Sequence, residues 1–196
     1  MKSINLLLLV VFLFGIQTSL VAGDYITVVP YHANDTSCAK VPYGTGSVVP
    51  LDTCIDVFGY YSIASLDTAS NKIKLDYYVG NCTDSPISTN VYPMNECTEI
   101  ELATGSNYYA TFVSGDAAPS NSVEYTYYYY SYYCSGPTFS VFFTDNYSTP
   151  SNRFECVNGE PIVYVCDPNT NKCDALEVKG CHNQDDITPY RVDCTK

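Results

Sequence analysis

"VEYTYYYYSYYC", residues 123–134, places seven tyrosines in twelve positions and ends on a cysteine. As a β-strand it separates Val123, Tyr125, Tyr127, Tyr129, Ser131 and Tyr133 from Glu124, Thr126, Tyr128, Tyr130, Tyr132 and Cys134, because side chains alternate between the two faces. The first set carries no charge and is assigned to the core. On the second, Glu124 and Thr126 start in water, and the tyrosines can cover a neighbouring sheet while keeping their hydroxyls wet. Ser135, Gly136 and Pro137 then turn the chain, and Phe139, Val141 and Phe143 return as aromatic and aliphatic partners across a hairpin. The stretch is a strand whose first role is packing. Because the chain has no Trp, Tyr128, Tyr130 and Tyr132 form its best platform for stacking on a sugar ring.

The same alternation of β-branched and aromatic residues with polar ones recurs along the chain, between turn-forming clusters, and helical periodicity is hard to find. Strands are expected in DYITVVPYH, GSVVPLDTCIDVF, GYYSIASL, KIKLDYYV, TEIEL, YYATFV, TFSVFF, RFECV, PIVYV and ALEVK. Turns are expected in LDTASNK, CSGPT, VNGE and CDPNTNKC. Asn158-Gly159 is the clearest, since the pair supplies the positive φ angles of a two-residue hairpin. The fold class is all-β, an antiparallel sandwich reinforced by disulfides. Two short matches suggest two similar halves: YYVGNCTDSP from Tyr77 against FFTDNYSTP from Phe142, and Glu96-Cys97 against Glu155-Cys156.

The chain opens with Lys2, an apolar run from Leu6 to Phe14, and small residues Ala22 and Gly23 before Asp24, the pattern of a secretory signal peptide over residues 1–23. Residues 24–196 are then expected to form a single extracellular all-β domain, with no membrane insertion of the mature chain. All ten cysteines follow the leader: Cys38, Cys54, Cys82, Cys97, Cys134, Cys156, Cys166, Cys173, Cys181 and Cys194. An even count in an exported chain implies up to five disulfides, whose connectivity the sequence leaves open. One pairing is expected: Cys166 with Cys173, across the base of a short Pro- and Asn-rich loop. Asn34, Asn81 and Asn146 stand in Asn-x-Ser/Thr tripeptides and are candidate glycan acceptors.

Without the leader, 8 basic residues face 21 acidic ones, a net charge of −13 that repels nucleic acid phosphates and anionic membranes. An extracellular glycan or protein is the expected kind of ligand. No metal site or cofactor is expected: there is no CxxC, the histidines are His32 and His182, and the calcium-like run from Asp167 through Asn169 and Asn171 has Lys172 where glycine is needed and Val178 where a glutamate should close the cage. His182, Asp185 and Asp186 make a second polar cluster, read as an exposed loop. The chain lacks a G-x-S-x-G elbow, an H-E-x-x-H pair and a phosphate loop. Catalysis would have to come from paired carboxylates among Asp67, Asp76, Glu96, Glu99, Glu101 and Asp145.

The leader, the aromatic-x-x-Asn-Cys-Thr block at Tyr77–Thr83, the Glu-Cys blocks and the Tyr-, Ser-, Thr- and Asn-rich β chain together resemble the small secreted cysteine-containing proteins of social amoebae. The resemblance implies an extracellular β-rich protein and transfers no catalytic or binding motif to a position here. The expected function is extracellular binding in adhesion, signalling or a matrix. The alternatives are a small glycan hydrolase and a structural coat protein.

Overall fold

A computed structural model describes residues 25–57, 60–101, 107–129, 133–170, 172–183 and 188–196. The leader, Tyr130, Tyr132, Asn171, Asp185 and Asp186 lie outside the described residues. All regular structure among those described is β, and every strand pairing is antiparallel. No described helix is long and apolar enough to cross a membrane.

Numbered in chain order, an eight-stranded sheet runs β14 (Gly180–His182), β15 (Tyr190–Cys194), β9 (Val123–Tyr128), β10 (Thr138–Phe143), β2 (Thr45–Pro50), β1 (Tyr25–Tyr31), β8 (Asn107–Ser114) and β7 (Thr98–Glu101). A four-stranded meander holds β3 (Ile55–Val57), β4 (Tyr60–Asp67), β5 (Lys72–Tyr78) and β6 (Ser88–Pro93). A three-stranded one holds β11 (Asn152–Val157), β12 (Glu160–Cys166) and β13 (Cys173–Glu177). Local chemistry sets the hairpins. The Asp67 carboxylate accepts from the Ala69 and Ser70 amides and the Ser70 hydroxyl, closing the β4–β5 turn. Asn158 and Gly159, at φ 55° and 80°, make the β11–β12 turn as expected.

Both meanders cover one face of the large sheet. Ile26 and Phe112 pack with Ala64 and Ile73 of the four-stranded meander, while Val123 and Val192 pack with Phe154 and Val163 of the three-stranded one. Val49 belongs to the first group and Phe143 to the second. Since Thr45 pairs with Phe143 and shares a face with Val49, the two cores lie on the same side. The result is a sandwich of one large sheet against two small ones.

The chain does consist of two similar halves, but not in the register that the short sequence matches suggest. Within the large sheet, β7-β8-β1-β2 and β14-β15-β9-β10 have the same pairings and are related by a two-fold axis at the β2–β10 seam. Val28 pairs with Ser47 and Phe112; Tyr125 pairs with Val141 and Val192. Ile26 pairs with Val49 as Val123 pairs with Phe143. These registers make Val28 equivalent to Tyr125, Val49 to Phe143 and Ser47 to Val141. Ser47 and Val141 themselves face each other across the seam, so the axis passes between them. By contrast Tyr77 and Tyr78 end β5 in a meander, whereas Phe142 and Phe143 end β10 in the large sheet. Cys97 precedes β7, whereas Cys156 lies in β11.

The five disulfides join Cys38–Cys97, Cys54–Cys82, Cys134–Cys181, Cys156–Cys194 and Cys166–Cys173. Two of them repeat with the fold: Cys38 and Cys134 sit in the β1–β2 and β9–β10 connections, and each bonds to the outermost strand region of its own half, at Cys97 and Cys181. Cys156–Cys194 ties the three-stranded meander to the large sheet. Cys166 and Cys173 face each other directly between β12 and β13, which bears out their expected pairing.

Candidate functional site

The tyrosine run forms a strand, shorter than expected. Val123, Tyr125 and Tyr127 point to the core as predicted; Val123 is fully buried, and Tyr127 stacks on Phe139 at 5.0 Å while Tyr125 meets Phe143 edge-on at 5.7 Å. Regular pairing stops at Tyr128, whose partner is Thr138 and whose N–H donates to the Pro189 carbonyl. The Cys134–Cys181 bridge ties the following segment to β14. Tyr133 is 71% exposed rather than part of the core face.

The outward face of β9 carries Glu124, Thr126 and Tyr128 between the outward residues of β10 and β15. Glu124 is half-buried, not free in water as the sequence suggests. The Ser140 hydroxyl donates to its Oε1 at 2.5 Å, and Asp193 faces it across the β9–β15 ladder. Burial pushes the Glu124 carboxyl up, and the nearby Asp193 and Asp116 charges add to this against the lowering effect of the Ser140 bond. Like charges directly opposite are unfavourable. Here Arg191, on the same strand as Asp193, takes up the latter's carboxylate through Nε at 2.5 Å. The arrangement sets the half-buried Glu124 carboxyl, which accepts from Ser140, opposite Asp193, whose carboxylate pairs with the Arg191 guanidinium. Tyr128 lies farther along β9, near Arg191.

Of the expected sugar-stacking platform, Tyr128 is partly exposed on this face; Tyr130 and Tyr132 lie outside the described residues. The carboxylates singled out by sequence are dispersed and locally engaged. Asp67 closes its turn. Asp76 is buried, bonded by Lys74 at 2.6 Å and the Thr89 hydroxyl at 2.5 Å, and burial is outweighed by these partners so that its carboxyl is held below the ordinary range. Asp145 accepts from the Cys156 amide and the Asn146 side chain. Glu96 and Glu99 are exposed, and the Glu101 side chain is outside the described residues. The cross-strand pair that the fold does assemble, Glu124 with Asp193, is hidden in the sequence because the charges of YRVDC mask its strand pattern.

The calcium-like run closes on itself: Asp167 accepts from the Asn169 amide and the Thr170 hydroxyl, which hold its carboxyl low. His182 stacks on Tyr190 at 4.8 Å, and its Nε2 lies 2.7 Å from the Val178 carbonyl oxygen. Among the described residues no group of three or more His, Cys, Asp or Glu is placed to hold a metal ion. Asn34, Asn81 and Asn146 are all exposed. The Asn81 carbonyl is occupied by the amide and hydroxyl of Thr83, and Asn146 adopts φ 60° in a turn after β10.

A family model described as "Counting factor-associated protein A/B/C" matches residues 1–194, nearly the whole chain. No curated protein and no solved structure shows significant similarity to it.

Proposed function

The chain belongs to the counting factor-associated protein A/B/C family, and from that premise we propose that it is an exported glycoprotein that acts outside the cell by non-covalent association with counting factor. The family match carries the reading, because its description names an association rather than a reaction. The chemistry of the chain supports it. Five disulfides suit an oxidising, extracellular compartment. A net charge of −12 favours a basic protein partner over nucleic acid or an anionic membrane. Val91 on edge strand β6 and Leu176 on edge strand β13 are about half exposed, at 53% and 48%, and give the acidic surface apolar points of contact.

In this reading residues 1–23 are removed on export, the mature chain is not inserted in a membrane, and Asn34, Asn81 and Asn146 carry glycans. Tyr128 beside Arg191 and the Glu124–Asp193 pair form a polar, aromatic patch suited to a protein or glycan surface. The test is to fractionate conditioned medium by size and probe for the chain and for counting factor. Co-elution ahead of the chain's own mass supports the proposal; elution at the mass of the free chain, separate from counting factor, overturns it.

A further inference from the structure

The two halves of the sandwich share a scaffold but are filled differently. Between the large sheet and the three-stranded meander, Phe143 stacks on Phe154 with centroids 3.8 Å apart and planes 4° from parallel, and Tyr125 closes on Phe143 from the side. In the other half, Val28 stands where Tyr125 does and Val49 where Phe143 does. The room those rings would take adds to a cavity of about 600 Å³ between the large sheet and the four-stranded meander.

We propose that this cavity is a binding site for an uncharged, largely apolar small molecule carrying at most a hydroxyl or carbonyl oxygen. Its walls are Val28, Val49, Phe139 and Val141 on one side and Ala64 and Leu75 on the other, with further aliphatic side chains between them. Among the described residues the hydroxyls of Ser47, Ser62 and Tyr77 are the polar side-chain groups of its lining, and none of the described lining residues is charged. Water needs two to four polar partners to settle in such a space, which this lining hardly supplies. Close-packed interiors leave few voids larger than one water, whereas a volume in this range with apolar walls and a few hydroxyls is typical of small-molecule sites. Val28, Val49, Leu75 and Val141 remain partly accessible although they face the opposing sheet. In the other half the stacked rings of Phe143 and Phe154, with Tyr125 against Phe143, occupy the corresponding space. A carboxylate ligand is disfavoured because burying a charge requires a partner that the described wall residues do not supply.

The test titrates the full secreted protein with the neutral fluorophore N-phenyl-1-naphthylamine, then displaces it with decanol or decanoate. Saturable one-site binding is expected, with decanol displacing at least tenfold better than decanoate. Val28→Tyr and Val49→Phe, which copy the rings of the filled half, should each weaken binding at least tenfold without lowering the melting temperature. Methyl NMR on the wild type reads the site independently of variant folding: decanol should shift Val28, Val49, Leu75 and Val141 and leave Val91 and Leu176 unmoved. Absence of saturable binding, decanoate binding as well as decanol, unchanged binding in the folded ring variants, or shifts centred on Val91 and Leu176 would each overturn the proposal.

Discussion

Gly46→Ala probes the seam that joins the two halves. Gly46 pairs with Phe142 across β2 and β10, and the Phe142 ring lies over the bare Cα. A Cβ there would fall 2.1 Å from Phe142 Cζ, 2.5 Å from Cε2 and 2.5 Å from the backbone oxygen of Val28. Carbon atoms pack best at about 3.5–4.0 Å, so the ring must retreat by more than an ångström. It has no room to do so, being 0% exposed, and the Val28 oxygen is fixed in the β-ladder. The backbone of Gly46 is not in the left-handed region, so on conformational grounds alone alanine should favour the strand by about 0.5–1 kcal/mol. Overpacking of this kind costs about 1–3 kcal/mol, and a clash with both a buried ring and fixed backbone belongs at the upper end. The expected net effect is about 2 kcal/mol of destabilisation, or about 4–8 °C in melting temperature for a chain of this size. Urea unfolding under non-reducing conditions measures it. Phe142→Leu in the same molecule should recover part of the loss relative to the sum of the single changes. If Gly46→Ala is as stable as the wild type, the ring does not lie over the seam and the packing described here is wrong.

On the chain-entropy estimate, removing Cys38–Cys97 or Cys134–Cys181 as a pair should cost roughly 4 kcal/mol each, against roughly 2.5 kcal/mol for Cys166–Cys173. Paired Cys→Ala variants compared in urea check that order, and an equal or larger loss at Cys166–Cys173 contradicts it. Glu124 has a raised pKa in the folded chain, so its contribution to stability is full at acid pH and falls as pH rises from its unfolded value through the folded one. Glu124→Gln should therefore gain in melting temperature relative to the wild type as pH rises from 4, then hold a constant difference; a gain confined to low pH refutes the assignment. Burial pushes the Tyr108 and Tyr125 phenols up to about 12, so stability should decline between pH 10 and 12 as the unfolded chain ionises first, and Tyr125→Phe should soften that decline in an alkaline denaturation series. Asn34→Gln and Asn146→Gln, expressed in a eukaryotic secretion host, should each remove a glycan-sized mass, visible by intact mass spectrometry.

What the sequence made legible follows from strong local chemistry. Asn158-Gly159 accepts a conformation that few pairs accept, and the uncharged face of Val123, Tyr125 and Tyr127 had to be the inner one. Cys166 and Cys173 were the one pair whose bridge the sequence favoured, because the six Pro- and Asn-rich residues between them close a short loop between two strands. The strands that escaped notice lack such signals. β6 mixes Ser88, Thr89 and Asn90 with Pro93, and β15 places Arg191 and Asp193 around Val192 so that charge masks one fully buried residue. Without β15 the Glu124–Asp193 pair could not be anticipated, and Glu124 read as solvated.

The short sequence matches point to a duplication but not to its register, because Asn-x-Ser/Thr tripeptides report surface chemistry rather than position in a fold. The true equivalents, Val28 with Tyr125 and Val49 with Phe143, share only an inward direction and differ in size. That size difference widens the cavity in one half. Periodicity tells which side chains point inward and says nothing of how much of the interior they fill.

The central claim is association, and sedimentation velocity on the purified chain mixed with purified counting factor tests it most directly. At 0.15 M salt the account predicts a single faster boundary containing both, weakening as salt is raised because a strongly acidic chain relies in part on charge. Two boundaries that keep the positions of the separate components at every concentration would contradict it.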